Sequence, residues 1–353
     1  MDKNRKLNSL TSWLTINHAC NLKCTWCYQK QFSGSKKFMP EKLIMELIDL
    51  LSDLPVKDVI LIGGEPTIHP LFLKTVKAIR VRGLVPKVVS NSIRFSEPDF
   101  IKAAEDAGLS MVVSSVKEFS DDEYESATGI RAFNKLRTAI ENLDNSEMKH
   151  RISFTITSDI ISSWTELISF VKSCKPFDFI FSFEKPYLVE DKVCFEGGLL
   201  PYEISTQIQE LIYPTLVDTG IPFKIDYMFP HCQLPVDFAD KVESEGRFFS
   251  GCHLLSGKSI IFDPDRRVLP CNHLITCSLG QYGVNFTTAN EYIAWYEGYI
   301  NSEDFKISSS APSERCASCE KWEKCGAGCR LFWLFKGEDY LLPRLKRKGG
   351  EMP

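Results

Sequence analysis

The sequence has no apolar run approaching the ~18 residues that a membrane-spanning helix needs. Its first ten residues, Met1–Leu10, are polar and basic and lack the apolar segment of a secretory signal. Basic residues are not in excess either, because 42 Lys and Arg stand against 46 Asp and Glu, a net charge of −4. These absences predict a cytoplasmic protein with neither a membrane nor a nucleic acid as its partner.

Cysteine, in contrast, is abundant, with 13 residues. Disulfides rarely persist in a reducing compartment, so the positions of the cysteines decide their meaning. Three cysteines lie within Cys20–Cys27 and seven lie within Cys252–Cys329. Two dense clusters in a cytosolic chain indicate bound metal. The isolated Cys174 and Cys194 are expected to be core or surface thiols.

Apolar strand-like runs alternate with helical patterns from about Ser9 to Asp226. Six β/α units in order predict an α/β fold with a parallel sheet. About 220 residues is short of a complete eight-fold barrel, so we expect a partial (β/α)6 TIM-type barrel. The expected strands are Trp13–Ile16, Asp58–Ile62, Lys87–Ser90, Ser110–Ser115, Ile152–Thr157 and Phe177–Phe183. The expected helices are Glu41–Leu54, Phe72–Arg82, Asp99–Ala107, Phe133–Leu143 and Trp164–Ser173.

The residue composition of the sequence changes after about Pro230. Gly, Pro and Cys become frequent, the strand-like runs are short, and we expect no long helix until the end. A small, loop-rich unit of this kind needs a metal or a similar staple for stability. We therefore expect a barrel domain at residues 9–230 and a cysteine-rich domain at residues 231–353.

The first strand leads into a loop that carries Cys20, Cys24 and Cys27. Three thiolates on a short loop can bind three irons of a cuboidal [4Fe–4S] cluster and leave the fourth iron open to bind another molecule. A buried helical stripe of cysteines would not place Asn21 and Lys23 among them. Half of a zinc site would need a fourth ligand, for which His18 is the only near candidate. The iron–sulfur interpretation is therefore favoured.

A second motif, Gly63-Gly64-Glu65-Pro66, directly follows the expected strand that ends at Ile62. Glycines allow a backbone to approach a ligand closely, and Glu65 adds a hydrogen-bond acceptor. In parallel α/β sheets, the working site lies at the C-terminal ends of the strands. The cysteine loop and this motif are both expected at that edge.

These motifs resemble the radical AdoMet (radical SAM) superfamily, whose signature Cys-x3-Cys-x-aromatic-Cys is met by Cys20, Cys24, Trp26 and Cys27. The resemblance implies that the unique iron of the cluster binds S-adenosylmethionine (AdoMet), which is reductively cleaved to a 5′-deoxyadenosyl radical. It further implies that Trp26 packs near the adenine and that Gly63–Pro66 holds the methionine ammonium. By position in the family pattern, the further AdoMet contacts are Asn91, Ser114 and Thr155.

The C-terminal series Cys316-x2-Cys319-x5-Cys325-x3-Cys329, preceded by Cys252 and Cys271, resembles the SPASM domain, an extension that carries auxiliary iron–sulfur clusters. The resemblance implies one or two such clusters. Cys252, Cys271 and Cys329 would serve the first, and Cys316, Cys319 and Cys325 the second.

The series departs from that pattern, because Arg266 replaces a turn glycine, Cys277 is extra and no cysteine follows Cys329. Cys232 and Cys277 are both candidates to complete the first cluster. The second would have an open iron, an oxygen ligand such as Asp339, or Cys277 as its fourth ligand.

The resemblance implies a radical SAM oxidoreductase, and peptide substrates dominate the SPASM family. We therefore expect oxidative modification or cross-linking of a ribosomally synthesised peptide, with electrons from a flavodoxin or ferredoxin. Only about a dozen residues precede the first strand, so we expect either a separate partner protein for leader recognition or another mode of substrate recognition. The alternatives are a sulfatase-type formylglycine maturase, a radical dehydrogenase or epimerase of aminocyclitols or sugars, and a zinc-stapled binding module without turnover.

Overall fold

The computed structural model describes residues 10–189, 192–195, 201–249, 252 and 259–336. The chain folds as α/β units around one sheet. The first six strands are β1 (Leu10–Asn17), β2 (Val56–Gly63), β3 (Val85–Ser90), β4 (Met111–Val116), β5 (Lys149–Ile156) and β6 (Asp178–Phe183). The helices among them are α1 (Glu41–Ser52), α2 (Phe72–Val81), α3 (Pro98–Asp106), α4 (Asp121–Thr128), α5 (Phe133–Asp144), α6 (Ser158–Ser162) and α7 (Trp164–Ser173). The predicted α/β fold with a partial barrel is confirmed.

The later strands are short. They are β7 (Tyr187–Val189), β8 (Lys192–Cys194), β9 (Phe223–Asp226), β10 (Phe248–Phe249), β11 (Ser259–Phe262), β12 (Arg267–Val268) and β13 (Gly280–Gln281). The later helices are α8 (Pro201–Gln207), α9 (Tyr213–Asp218), α10 (Val236–Ser244), α11 (Ala289–Asn301), α12 (Glu303–Ser309), α13 (Glu314–Ala317), α14 (Trp322–Cys325) and α15 (Arg330–Lys336). No helix in the described ranges is long and apolar enough to span a bilayer.

The expectation of no long helix in the cysteine-rich part is wrong, because α11 runs for 13 residues. The Thr288 side chain accepts a hydrogen bond from the amide of Glu291, whose own side chain bonds back to the Thr288 amide. This capping box starts the helix by satisfying amides that have no partner within it. Both the box and the aromatic spacing at Tyr292, Trp295 and Tyr299 are visible in the sequence.

The strands of the main sheet follow the order β10-β9-β6-β5-β4-β3-β2-β1-β11-β12-β13. The pairs from β10 to β11 are all parallel, and only the last two are antiparallel. Because β1 pairs with β11, the cysteine-rich part extends the same sheet. The sheet therefore crosses the expected boundary at residue 230, and the division into two domains stays a prediction.

One face of the sheet packs against the helices. In β5, the side chains of Ile152, Phe154 and Ile156 are buried on this face, whereas Ser153 and Thr155 are half-buried on the other. Helix α1 covers part of the buried face with a stripe of apolar residues three and four apart: Leu43, Ile44, Leu47, Ile48 and Leu51. The opposite face, called the open face, carries half-buried polar side chains towards the C-terminal ends of the strands.

Phe154 lies at the centre of an aromatic cluster between sheet and helices. Its ring stacks on Phe181 with centroids 5.2 Å apart and meets Phe170 of α7 edge-on at 6.2 Å. We expect Phe154→Ala to lower the free energy of unfolding by about 3–5 kcal/mol, since it removes buried contacts and leaves a cavity. Urea unfolding followed by circular dichroism measures the change. Phe177→Ala is the matched control, because Phe177 is 56% exposed; equal losses in the two variants would contradict the prediction.

Candidate active site

The cysteine loop begins directly after β1. Cys20 is exposed and Cys24 and Cys27 are half-buried, and all three have free thiols. Burial raises the pKa of Cys20 to about 12. Burial also raises the pKa of Cys24, and the nearby charge of Lys117 lowers it in part. These thiols therefore stay protonated at neutral pH until a metal ion displaces the protons.

The Gly63–Pro66 turn packs against the start of the cysteine loop. The Gly64 amide donates to the Asn17 carbonyl at 2.9 Å, and the Glu65 amide donates to the Ala19 carbonyl at 2.8 Å. A Cβ atom on Gly64 would overlap the carbonyl oxygen of Ala19 and would lie 2.6 Å from that of His18. Gly64 is therefore required because two backbones approach closely at this point. From the sequence, the close approach had been attributed to a ligand.

Glu65 connects this turn to the end of β3. Its carboxylate accepts hydrogen bonds from the Thr67 amide at 3.0 Å, the Thr67 hydroxyl at 2.7 Å, the Ser90 hydroxyl at 2.7 Å and the Asn91 amide at 2.7 Å. Burial raises the pKa of Glu65, and the four donors oppose that rise. The carboxylate that was predicted to hold the AdoMet ammonium thus already has four protein donors.

Asn91 completes the connection, because its side-chain amide donates to Asn21 Oδ1 at 2.7 Å. Asn21 lies between Cys20 and Cys24. The structure therefore brings together the cysteine loop, Gly63–Pro66 and Asn91, as predicted from their places at strand ends. Trp26 lies half-buried on the same loop.

Ser114 does not face the open side of the sheet. Its side chain is fully buried, on the same face as Val112 and Val116, and its hydroxyl bonds to Ser92 at 2.7 Å and to His150 Nε2 at 2.9 Å. Adjacent residues of a strand point to opposite faces, so the serine on the open face is its neighbour Ser115. The AdoMet contact expected at Ser114 stays a prediction, although the Ser114 hydroxyl faces the helix-packed side.

Three polar residues form a row on the open face. Thr155, Ser182 and Asp226 are in register on β5, β6 and β9, so their side chains point the same way. Asp226 Oδ2 accepts hydrogen bonds from Lys185 Nζ at 2.6 Å and from Ser182 Oγ at 3.2 Å. Sequence reasoning identified only Thr155, although the position of the others at strand ends was a signal for them.

The polar row joins the two cysteine-rich regions. At one side is Lys117, which follows β4. Its positive charge lowers the pKa of Cys24 and of Cys27. At the other side is Lys185, whose positive charge lowers the pKa of Cys271 and of Cys329. The tilted stacking of Tyr28 on His273, with centroids 4.6 Å apart, is a second link. A molecule bound along the row would therefore lie between two sets of thiols.

The assignment of the C-terminal cysteines to two clusters stays a prediction, and the electrostatic influence of neighbouring cysteines on each other is consistent with it. The pKa of Cys329 is raised to about 12, chiefly by burial. The negative charges of Cys271 and Cys252 add smaller contributions. These three are named the first auxiliary group. Burial likewise raises the pKa of Cys325, and the charges of Cys316 and Cys319 add to it. These three are named the second auxiliary group.

Two further expected ligands stay predictions. The amide of Cys277 donates to the carbonyl of Leu274 at 3.0 Å, one turn beyond Cys271. Asp339 lies outside the described residues.

The spacing of the sulfurs bears on the kind of metal. A tetrahedral zinc ion with bonds of about 2.3 Å would hold its sulfurs about 3.8 Å apart. Across the described ranges, no three cysteine sulfurs lie within 4.8 Å of one another; the group within that limit is His18, Asp263 and Asp265. Lys37 and Arg267 pair with its two carboxylates. The iron–sulfur interpretation therefore continues to rest on the spacing of the cysteines along the chain.

The contact between the two backbones can be tested at Gly64. We expect Gly64→Ala to lower the free energy of unfolding by about 1–3 kcal/mol, because the added methyl group must push the cysteine loop away. The peptide that carries Cys20–Cys27 should also react faster with maleimide in the metal-free protein, as measured by mass spectrometry. Gly298→Ala is the control, since a Cβ there meets nothing within 4 Å. Unchanged labelling of the loop in Gly64→Ala would refute the proposed contact.

A pH effect is expected at Glu118, which lies just beyond the end of β4. Burial, with smaller effects from Glu123 and Asp159, raises the pKa of its carboxyl from 4.5 to about 7. The folded state therefore binds more protons than the unfolded state between these values, and stability falls as the pH rises through them. Glu118→Gln should be more stable than the parent above pH 7, and the difference should vanish towards pH 4.5.

Urea unfolding across that pH range measures the difference between Glu118→Gln and the parent. Exposed Glu141 supplies the control substitution, Glu141→Gln. A difference in unfolding free energy that did not depend on pH would show that the Glu118 carboxyl has an ordinary pKa.

The fold is similar to that of solved enzymes. SuiB of Streptococcus suis, bound to S-adenosylmethionine, is 16% identical with a TM-score of 0.68, over 96% of this chain and 76% of SuiB. The protein anSMEcpe with bound AdoMet is 17% identical with a TM-score of 0.69, over 94% of this chain and 92% of anSMEcpe. At these identities the likeness shows the fold alone. It extends over the cysteine-rich part as well as the barrel.

Curated relatives match a shorter part of the chain. A GTP 3',8-cyclase of Psychromonas ingrahamii is 28% identical over 131 residues, which cover 36% of this chain and 38% of that protein. A tungsten-containing aldehyde ferredoxin oxidoreductase cofactor-modifying protein of Pyrococcus furiosus is 26% identical over 106 residues, 30% of each protein. The chain thus spans less than half the length of these relatives.

The model of the radical SAM superfamily matches residues 14–165. That segment contains the cysteine loop, the Gly63–Pro66 turn packed against it, Asn91 and Thr155. The resemblance stated from the sequence is thereby confirmed. Residues 14–165 of this chain form a domain of the radical SAM superfamily, and a cysteine-rich C-terminal region follows it.

Proposed function

We propose that this radical SAM enzyme oxidatively modifies a ribosomally synthesised peptide, with one or two auxiliary iron–sulfur clusters as electron acceptors. The observation that carries the proposal is the polar row of Thr155, Ser182 and Asp226, which has Lys117 and the radical-loop cysteines at one side and Lys185 and the first auxiliary group at the other. A substrate on this row would lie between a site of radical generation and a site of electron uptake.

The residues present fit the cofactors that the superfamily implies. Cys20, Cys24 and Cys27 lie on one loop and would hold the [4Fe–4S] cluster. AdoMet, when bound and reduced there, supplies a 5′-deoxyadenosyl radical. The Gly63–Pro66 turn, Asn91, Ser115 and Thr155 would line the AdoMet site, with Trp26 near the adenine.

A second acceptor is needed because the proposed reaction removes two electrons from the substrate. The first leaves with a hydrogen atom, which forms 5′-deoxyadenosine. An auxiliary cluster held by the C-terminal cysteines would accept the second electron, and the substrate would lose a proton to solvent as its new bond forms. An electron donor of the flavodoxin or ferredoxin type would reduce the radical-generating cluster. Proteins of this chemistry work in a reducing compartment, so we keep the cytoplasm as the proposed location.

A peptide is favoured over a small molecule by the structural comparisons. SuiB has also been solved bound to its precursor peptide SuiA, and anSMEcpe with the Kp18Cys peptide; the two structures cover 95% and 92% of this chain. The GTP 3',8-cyclases match only about a third of the chain, which is too little to transfer their substrate. In this proposal, a separate protein binds the leader of the peptide.

The role of the auxiliary clusters can be tested separately from radical generation by substitution of Cys271. We expect Cys271→Ala to form 5′-deoxyadenosine from AdoMet under anaerobic, reducing conditions, but to lower the yield of modified peptide at least about tenfold. The substrate would be a short precursor peptide encoded beside the gene, and its loss of two hydrogen atoms is measured by mass spectrometry.

Two controls frame this experiment. Cys174→Ala, whose sulfur contacts Ser173 away from the row, should behave like the parent. Replacement of Cys20, Cys24 and Cys27 together by Ala should abolish 5′-deoxyadenosine. Full product formation by Cys271→Ala would refute the electron-acceptor role. A product from an aminocyclitol or a sulfatase peptide, with none from a precursor peptide, would refute the proposed substrate.

A further inference from the structure

We propose that Cys232 is the fourth thiolate ligand of the second auxiliary cluster, together with Cys316, Cys319 and Cys325. The inference rests on the proposed auxiliary clusters and goes beyond them by assigning a ligand from a distant part of the chain. The sequence pattern had offered Cys232 for the first cluster and had left the second with an open iron, an oxygen ligand or Cys277. The structure assigns Cys232 to the second group.

The four cysteines line the same cavity. Its volume is about 240 Å³, and Cys232, Cys316, Cys319 and Cys325 all contribute to its wall. A single water occupies about 30 Å³, so the space is far larger than one metal ion needs. The rest of the wall is largely apolar: Leu234, Val236, Ala239, Trp322 and Ala327.

The segment that carries Cys232 is bonded directly to the second group. The His231 amide donates to the sulfur of Cys325 at 3.3 Å, so the residue next to Cys232 already contacts one of the expected ligands. Amide hydrogen bonds to sulfur are among the features that tune cluster potentials. The turn of residues 231–233 follows β9 closely, which fixes Cys232 relative to the sheet.

A tight backbone contact holds the two segments together. The Cys329 amide donates to the Met228 carbonyl at 2.8 Å. A Cβ atom on Gly328 would overlap that carbonyl and would lie 2.8 Å from the Phe229 carbonyl carbon. Gly326, Ala327 and Gly328 all have positive φ. This turn brings the Cys325–Cys329 segment onto residues 228–231 and thereby places Cys232 beside Cys325.

Charges around Cys232 agree with this grouping. Arg315 and Lys321 stand at the wall of the cavity that Cys232 lines. Positive side chains at this position would offset the negative charge of four thiolates.

The proposed fourth sulfur comes from an earlier part of the chain than the other three. Cys232 lies 84 residues before Cys316, the first member of the group, and only the fold brings the two together. Binding to iron displaces the thiol proton and requires no oxidant.

The test compares Cys232→Ala with Cys319→Ala in the full-length protein after anaerobic reconstitution with iron and sulfide. Iron and sulfide per chain, with the Mössbauer and electron paramagnetic resonance spectra of the reduced protein, are the readouts. We expect both variants to lose the same cluster, about four irons, and the double variant to lose no more than either. Formation of 5′-deoxyadenosine should continue in all three, which shows that the barrel is folded.

Cys194→Ala is the matched control, since Cys194 belongs to the β7–β8 hairpin, and it should keep the full iron content. Parent-like iron and spectra in Cys232→Ala, with loss in Cys319→Ala, would overturn the assignment alone. An additive loss in the double variant would place Cys232 on another cluster and would also overturn it. If Cys319→Ala itself lost no iron, the second auxiliary cluster and its proposed ligand would both be refuted.

Discussion

The contact between the Gly63–Glu65 backbone and residues 17–19 is the constraint on which the site depends. It joins the ends of β1 and β2 where a side chain would not fit, and it directs the cysteine loop over the C-terminal edge of the sheet. Glu65 extends the connection to β3 through four hydrogen bonds. Hydrogen bonds to a charged group contribute about 1.5–3 kcal/mol each, which is enough to offset much of the cost of burying this carboxylate.

The barrel strands and the cysteine-rich part are connected by backbone pairing within one sheet. β1 pairs with β2 on one side and with β11 on the other, so the strand that leads into the radical loop also anchors the start of the auxiliary region. On the far side, β9 pairs with β6 and brings Asp226 beside Ser182. The polar row of Thr155, Ser182 and Asp226 is thus built from backbone pairing, and its place in the sheet follows from the strand order.

Much of the barrel could be predicted because periodicity is local. The apolar spacing in α1 and the alternation in β5 each require only neighbouring residues, and the expected elements agree with the observed ones to within a few residues at their ends. Ser114 shows the limit of that reasoning. Its position at a strand end was foreseen, but its face was not, because one residue of register exchanges the helix-packed side for the open side.

The sequence by itself determined the chemistry. Cys20, Cys24, Cys27 and the Gly63–Pro66 turn follow a spacing that requires no knowledge of the fold, because three thiolates on one loop must act together. Only the tertiary structure decided which distant groups lie together: Asp226 beside Ser182 and Lys185, and the segment that carries Cys232 beside Cys325. Contacts of this kind depend on strand order and on turns such as residues 326–328, and no spacing along the chain encodes the distance between elements that meet in space.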